Sequence, residues 1–377
     1  MKKKLIILLA SNLDPSGGGR ETWIANFLND ERIIKRYHSI TVIGSDVIKS
    51  DKQISFPDNV IVIKDINRPR KYFPGVFYYV SFVRKTLKAI YNPLDSFDVI
   101  SCGSWGESIA FYFSSYFKKS NVNSICWLRS IIVKELARIY PRFLLSTCQK
   151  FECFILAKYN VLIANGNDTS NYYNKLKIDS VVIANGIHTK DFPLNDCKNI
   201  QFQYIGRVSK EKGVLFLIQA IEELNNTCTY DNVFFTVIGD GPNSNDMKHL
   251  ASQFDNVHYK GALSPVGVKF ELPQANISFH LTLSKDIGGG GVSHSLLEAM
   301  ATGQRIICWN NDIFNQVKGA DLFYKAEEGN VQSLIEQIKL AIKDTSKTDL
   351  QYPKEMKDCS LNYDFSVHVK KFCELLE

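Results

Sequence analysis

The 377-residue sequence predicts an α/β protein of two domains, each a doubly wound parallel sheet flanked by helices. The length exceeds what one hydrophobic core usually serves. Short β-branched runs alternate with helix-compatible stretches, the pattern of parallel strands joined by crossover helices. That series stops and starts again after about residue 195. A composition of 45% hydrophobic and 22% charged residues excludes a disordered or collagen-like polymer.

The first run, KLIILLA, follows lysines and imitates a secretory signal. Its apolar part, Leu5 to Ala10, is too short for one and lacks a convincing cleavage site, so it reads as a buried strand. SITVIGS, FDVISCG, NSICWL and YNVLIANG continue the first series. Asn-Gly, Pro193 and a polar cluster then mark a linker at about 190–200, giving domains at 1–192 and 193–360. The second series is IQFQYIGR, NVFFTVIGDG, NVHYKG, NISFHLTLS and QRIICWN. A polar stretch at about 345–360 leads to a terminal helix, about 361–377, the element able to pack back on the first domain. No run approaches the roughly 20 apolar residues of a membrane span. Nine cysteines without framework or CxxC spacing point to reduced thiols and a cytoplasmic location.

The net charge of +6 is unevenly spread. Residues 1–191 hold 27 Lys and Arg against 16 Asp and Glu, a balance of +11, which leaves −5 for the remainder. A basic first half is suited to an anionic partner. Within it, Arg68, Arg70, Lys71, Arg84, Lys85 and Lys88 mix with Tyr72, Phe73, Phe77, Tyr78, Tyr79 and Phe82. Such a mixture fits an interfacial contact on the inner face of a membrane, or the buried face of a helix with solvated ends. No RNP or KH pattern accompanies these aromatics, so nucleic acid is not an expected partner.

Four glycines, Gly288 to Gly291, stand between the strand NISFHLTLS and the helix VSHSLLEAMATG, whose packing side carries Leu296, Leu297 and Met300. Glycine lets main chain approach a ligand, and a helix start offers unpaired N–H groups to an anion. A plain surface loop is the competing reading. Earlier, a strand ends at Gly206 and the cations Arg207 and Lys212 follow at the sheet's carboxyl edge. Arg by its planar fork and Lys as a point charge suit a diphosphate.

GRVSKEKG at 206–213, VIGDGP at 237–242 and LLEAMATG at 296–303, with GGGRE at 17–21, resemble the family-4 retaining glycosyltransferases of the GT-B fold. The resemblance implies two Rossmann-like domains, acceptor-binding at 1–192 and nucleotide-sugar-binding at 193–360, and transfer of a hexose-type sugar from a nucleotide sugar to a saccharide or lipid-linked saccharide, in assembly of a bacterial surface polysaccharide or lipopolysaccharide. It implies that Arg207 and Lys212 hold the leaving diphosphate. Glu298 would accept the ribose hydroxyls, a task for an acceptor-only carboxylate. Gly239 and Asp240 would lie in a turn near the nucleotide. Gly18 and Gly19 would approach the donor phosphate from the first domain, and Trp127 and Arg129 would meet the acceptor, with a packing Trp beside a surface Arg as the equal alternative.

One position departs from the family. Its members usually carry a second glutamate eight residues before the one corresponding to Glu298, and here that place is Gly290. Asp286 is one substitute. The other is a grip by the amides of Gly290, Gly291 and Val292 with Ser293 and His294. His188, His280 and His294 have no metal-ligand spacing and DxD is absent, so no metal or other cofactor is expected. Two further readings stay open, a nucleotide-sugar 2-epimerase of the same fold and a non-catalytic nucleotide-sugar or saccharide-binding protein.

Overall fold

The computed structural model describes residues 3–10, 19–44, 56–64, 72–137, 140–227, 232–284, 291–345 and 351–376. The chain forms two compact units. Unit 1 comprises Met1–Ala184, Gly288–Gly291 and His368–Glu377, and unit 2 comprises Asn185–Ile287 and Val292–Val367.

Among the described residues of unit 1, seven strands run parallel: β1 (Lys3–Leu8), β2 (Ser39–Gly44), β3 (Val60–Lys64), β4 (Ser96–Ser101), β5 (Val122–Leu128), β6 (Val161–Ala164) and β7 (Val181–Val182). Their order is β3-β2-β1-β4-β5-β6-β7. Unit 2 has β8 (Ile200–Ile205), β9 (Val233–Ile238), β10 (Val257–Gly261), β11 (Ile277–His280), β12 (Arg305–Trp309) and β13 (Tyr324–Ala326), ordered β10-β9-β8-β11-β12-β13. Both sheets reverse direction beside their first strand. That reversal leaves a crevice at the carboxyl ends of β1 and β4 in one unit and of β8 and β11 in the other, where open α/β sheets bind ligands.

Strands β3, β7 and β13 add to the ten runs read from sequence. β7 and β13 are edge strands of two and three residues, too short to show a period. The stretch expected to be polar connection is partly helical, at Gln351–Ser360, and the terminal helix runs Phe365–Leu375.

Each core is layered as the β-branched and aromatic runs require. In unit 2, Phe202 stacks between Phe235 (4.9 Å) and Phe279 (5.3 Å) across three neighbouring strands. In unit 1 the C-terminal segment completes the core. Trp23, Phe27, Trp127 and Phe372 pack ring to ring, with Trp23 and Trp127 centroids 4.1 Å apart. The His368 ring donates to the Ala184 carbonyl from Nδ1 (2.6 Å) and accepts the Trp23 indole N–H at Nε2 (2.5 Å). A carbonyl can only accept, so the proton sits on Nδ1 and the ring is neutral in that pairing. The described cysteines are free thiols. No helix among the described residues is long and apolar enough to cross a membrane.

Candidate active site

The crevice of unit 2 is built from the turns that follow β8, β9 and β11. After β8 the chain passes Gly206 and the exposed Arg207, then turns through Lys210–Lys212 into the helix Val214–Thr227. Gly213 makes that turn. It is left-handed (φ 75°), and a β-carbon there would stand 2.1 Å from the Leu281 carbonyl oxygen. The two loops of the crevice therefore touch main chain to main chain, and the Leu283 N–H donates to the Glu211 carbonyl (3.0 Å).

This packing fixes the environment of Lys212. Its ammonium is drawn to Thr282 Oγ1 at 3.4 Å, a long contact, and its pKa is held down. Burial is the main cause, Arg207 adds to it, and Glu211 opposes. Two cations thus act on one another at the carboxyl edge of β8, one desolvated and one in solvent. His280, at the end of β11, is buried, and burial with the charge of Lys212 lowers its pKa to about 3. It stays neutral and adds nothing to that field.

The β9 turn supports the β8 turn. Val208 N–H donates to the Asp240 carbonyl and Asn243 N–H to the Val208 carbonyl, both at 3.0 Å. The Asp240 carboxylate works on its own loop, accepting Ser244 Oγ (2.6 Å) and Gly241 N–H (2.8 Å), and these bonds lower its pKa. It is a turn-holding group in this structure.

Beyond β11, Gly290 and Asp286 lie outside the described residues, and so do Gly17 and Gly18 in unit 1, where Gly19 opens the helix Gly19–Leu28. Gly291 ends the glycine run. Val292 is buried, and its carbonyl accepts the Asn185 amide (2.8 Å), so what it can offer a ligand is main chain. Ser293 caps the helix His294–Ala301 by accepting the Leu296 N–H (3.3 Å), and His294 is the first helical residue.

Glu298 lies within this helix, half-buried; its carbonyl accepts the Thr302 N–H (3.0 Å) and hydroxyl (3.1 Å). Burial raises its pKa to about 7, offset by the charge of Lys269. Arg207 acts on Lys212, whereas the charge that acts on Glu298 is that of Lys269. The folded carboxyl keeps a proton that the unfolded chain releases above its usual value of about 4.5. Folding stability is therefore expected to fall as pH rises from about 4.5 to about 7, by up to about 3 kcal/mol from this group. Urea unfolding of wild type and Glu298→Gln at pH 5 and 7 reads it: the variant should gain on wild type at the higher pH. An equal difference at both pH values would refute the shift.

In unit 1, Trp127 does not face a ligand. It is fully buried among Trp23, His368 and Phe372, so of the two readings of this residue, acceptor contact and packing, the structure has the packing one. The half-buried Arg129 guanidinium lies over the Trp127 ring at 4.2 Å, so the indole serves as its platform.

The sequence reading missed the groups that brace the β11 loop. Glu328 Oε1 accepts the N–H and hydroxyl of Ser284 (3.1 and 2.9 Å), and its Oε2 accepts the Asn311 amide (2.6 Å). The Trp309 indole donates to the Leu281 carbonyl (2.8 Å). No local motif joins residues this far apart in sequence. No group of three or more His, Cys, Asp or Glu suited to a metal ion occurs among the described residues.

Residues 189–366 match the family described as glycosyl transferases group 1. The solved structure of sucrose-phosphate synthase from Thermosynechococcus elongatus superposes with a TM-score of 0.77 at 14% identity, covering 99% of this chain and 98% of that one. The apo form of the lipopolysaccharide outer core galactosyltransferase WaaB gives 0.69 at 14%, covering 99% of both chains. HepE from Anabaena, solved in complex with UDP-glucose, gives 0.69 at 15%, also covering 99% of both. No curated protein matches in sequence. At these identities the structural likeness is one of fold, and the fold is GT-B.

Proposed function

We propose that the chain, which matches the glycosyl transferases group 1 family over residues 189–366 and has the GT-B fold, moves a hexose-type sugar from a nucleoside diphosphate to a saccharide or lipid-linked saccharide, with retained anomeric configuration. The observation that carries this reading is the Arg207 and Lys212 pair at the switch point of unit 2, where β8 and β11 diverge. A desolvated ammonium beside a second cation is an unfavourable arrangement on its own. A diphosphate relieves it.

In the transfer, the bond from the anomeric carbon to the diphosphate oxygen breaks and the acceptor oxygen bonds to that carbon on the same face. The acceptor's proton passes to the departing phosphate oxygen. Arg207 and Lys212 stabilise the charge growing on that oxygen, the main catalytic contribution. No metal is invoked, since two cations supply the charge. Unit 2 takes the donor and unit 1 the acceptor. HepE and Staphylococcus aureus TarM were both solved with UDP bound, which makes UDP-sugars the first donors to try. The biological setting we favour is bacterial surface polysaccharide or lipopolysaccharide assembly on the cytoplasmic side of the inner membrane.

The test is incubation with UDP-glucose, UDP-galactose and UDP-N-acetylglucosamine in the presence and absence of a lipid-linked acceptor extract, with NMR of the product. Acceptor-dependent release of UDP and an α product from an α donor support the proposal. A changed sugar with no acceptor indicates a 2-epimerase, and binding without turnover a non-catalytic protein.

For the membrane contact, the helix Tyr72–Ile90 supplies the surface. Tyr79 is buried, its hydroxyl donating to the Ile43 carbonyl (2.8 Å), while Phe77 and Tyr78 are 69% and 45% exposed beside the exposed Arg84, Lys85 and Lys88. Arg68, Arg70 and Lys71 lie outside the described residues. Sedimentation with anionic vesicles is expected, and Phe77→Ser with Lys85→Glu should release most of the protein. Equal sedimentation of that variant would remove the contact.

A further inference from the structure

A sheet with helices on both faces is normally apolar on both. Half of the second sheet is not. Phe202, Phe235 and Val257 share one row and face the core. The next row along the strands brings Gln203, Thr236 and His258 side by side on the opposite face, with Ser278 continuing it onto β11. The helix connecting β10 to β11, Pro265–Glu271, has only seven residues and leaves this face partly uncovered. A cavity of about 610 Å³ remains, lined by Gln203, Thr236 and His258 together with Gln201, Lys260, Glu271 and Phe270. That volume lies within the roughly 300–1,000 Å³ of small-molecule sites.

Gln203 singles the cavity out. Its side chain is 1% exposed, its amide nitrogen donates to the Glu271 carbonyl (3.2 Å), and its buried amide oxygen has no partner. A buried acceptor left unpaired is costly and rare. Gln201 beside it donates to Thr236 Oγ1 (2.8 Å). The lining holds two cations, Lys198 and Lys260, against two carboxylates, Asp196 and Glu271, and Lys260 bonds Glu271 at 2.7 Å. A neutral lining disfavours phosphates and other anions. Amides and a hydroxyl match a ligand that both donates and accepts at many points, and Phe270, 72% exposed, offers an aromatic face to C–H groups.

We propose that this cavity is a second saccharide site, one that takes a neutral oligosaccharide. It borders the amino-terminal half of β8, whereas Arg207 follows the carboxyl end, so the two lie roughly 15–20 Å apart along the strand direction. The site does not depend on the transfer reaction.

The test uses the full chain on an array of neutral oligosaccharides of glucose, galactose, mannose and N-acetylglucosamine, with a sulfated oligosaccharide as the anionic arm. At least one neutral oligosaccharide should bind, and should still bind when Arg207 and Lys212 are both replaced by alanine. Phe270→Ala should weaken that binding about tenfold or more, and Gln203→Met should do the same with an unchanged melting temperature. An array without a neutral binder overturns the proposal, as does binding indifferent to both cavity variants or a preference for the sulfated probe. Loss of transfer activity alone leaves it standing.

Discussion

Arg207→Ala and Lys212→Ala are each expected to lower turnover by about 10³-fold at saturating donor, with the fold intact. The two arrive there by different routes. Arg207 is exposed, so its removal costs little stability. Lys212 is desolvated and placed beside another cation, an arrangement that opposes folding. Lys212→Met should therefore melt at the same temperature as wild type or higher while losing the reaction. The loss should fall on kcat more than on KM, because charge on the leaving oxygen is greatest in the transition state. Steady-state kinetics with UDP-glucose and a melting curve measure both. Wild-type turnover in either alanine variant would remove the leaving-group role.

Gly239→Ala is the substitution expected to damage the fold most. A β-carbon there would lie 1.8 Å from the Gly206 carbonyl oxygen, and φ is 139°. The oxygen cannot retreat cheaply, since Gly206 N–H is bonded to Ile238 (3.0 Å) and Val208 is tied to Asp240 and Asn243. We expect a loss of about 3–5 kcal/mol, the range of severe single substitutions. Gly261→Ala is the control. Its φ is also positive, 66°, but nothing stands within 4 Å of the added carbon, so only backbone strain of about 1–2 kcal/mol applies. Urea unfolding of the two variants separates clash from strain. Equal losses would show that the loops are not locked together.

The sequence revealed what is local. Arg207 and Lys212 are legible because a strand, a glycine and a helix start fall within a few residues, and a parallel topology then delivers them to the switch point. The sequence leaves Trp127 open between acceptor contact and packing for a physical reason. The end of a strand is visible in sequence, but the elements that cover it, Phe372 and His368, come some 240 residues later. Glu328 was missed likewise, since it braces a loop 44 residues earlier. Gln201 and Gln203 were in plain view as the alternation in IQFQYIG. That alternation marks a strand with one polar face, which a parallel sheet covered on both sides has no use for.

The aromatic core of unit 1 has a consequence for how the protein is made. Trp23 leaves the ribosome well before its partner His368, 345 residues further along the chain, and Phe372 follows later still. The nascent amino-terminal half must wait, with part of its aromatic surface uncovered, until the helix Phe365–Leu375 has emerged from the tunnel. Unit 1 is thus completed only after the chain of unit 2 has been made.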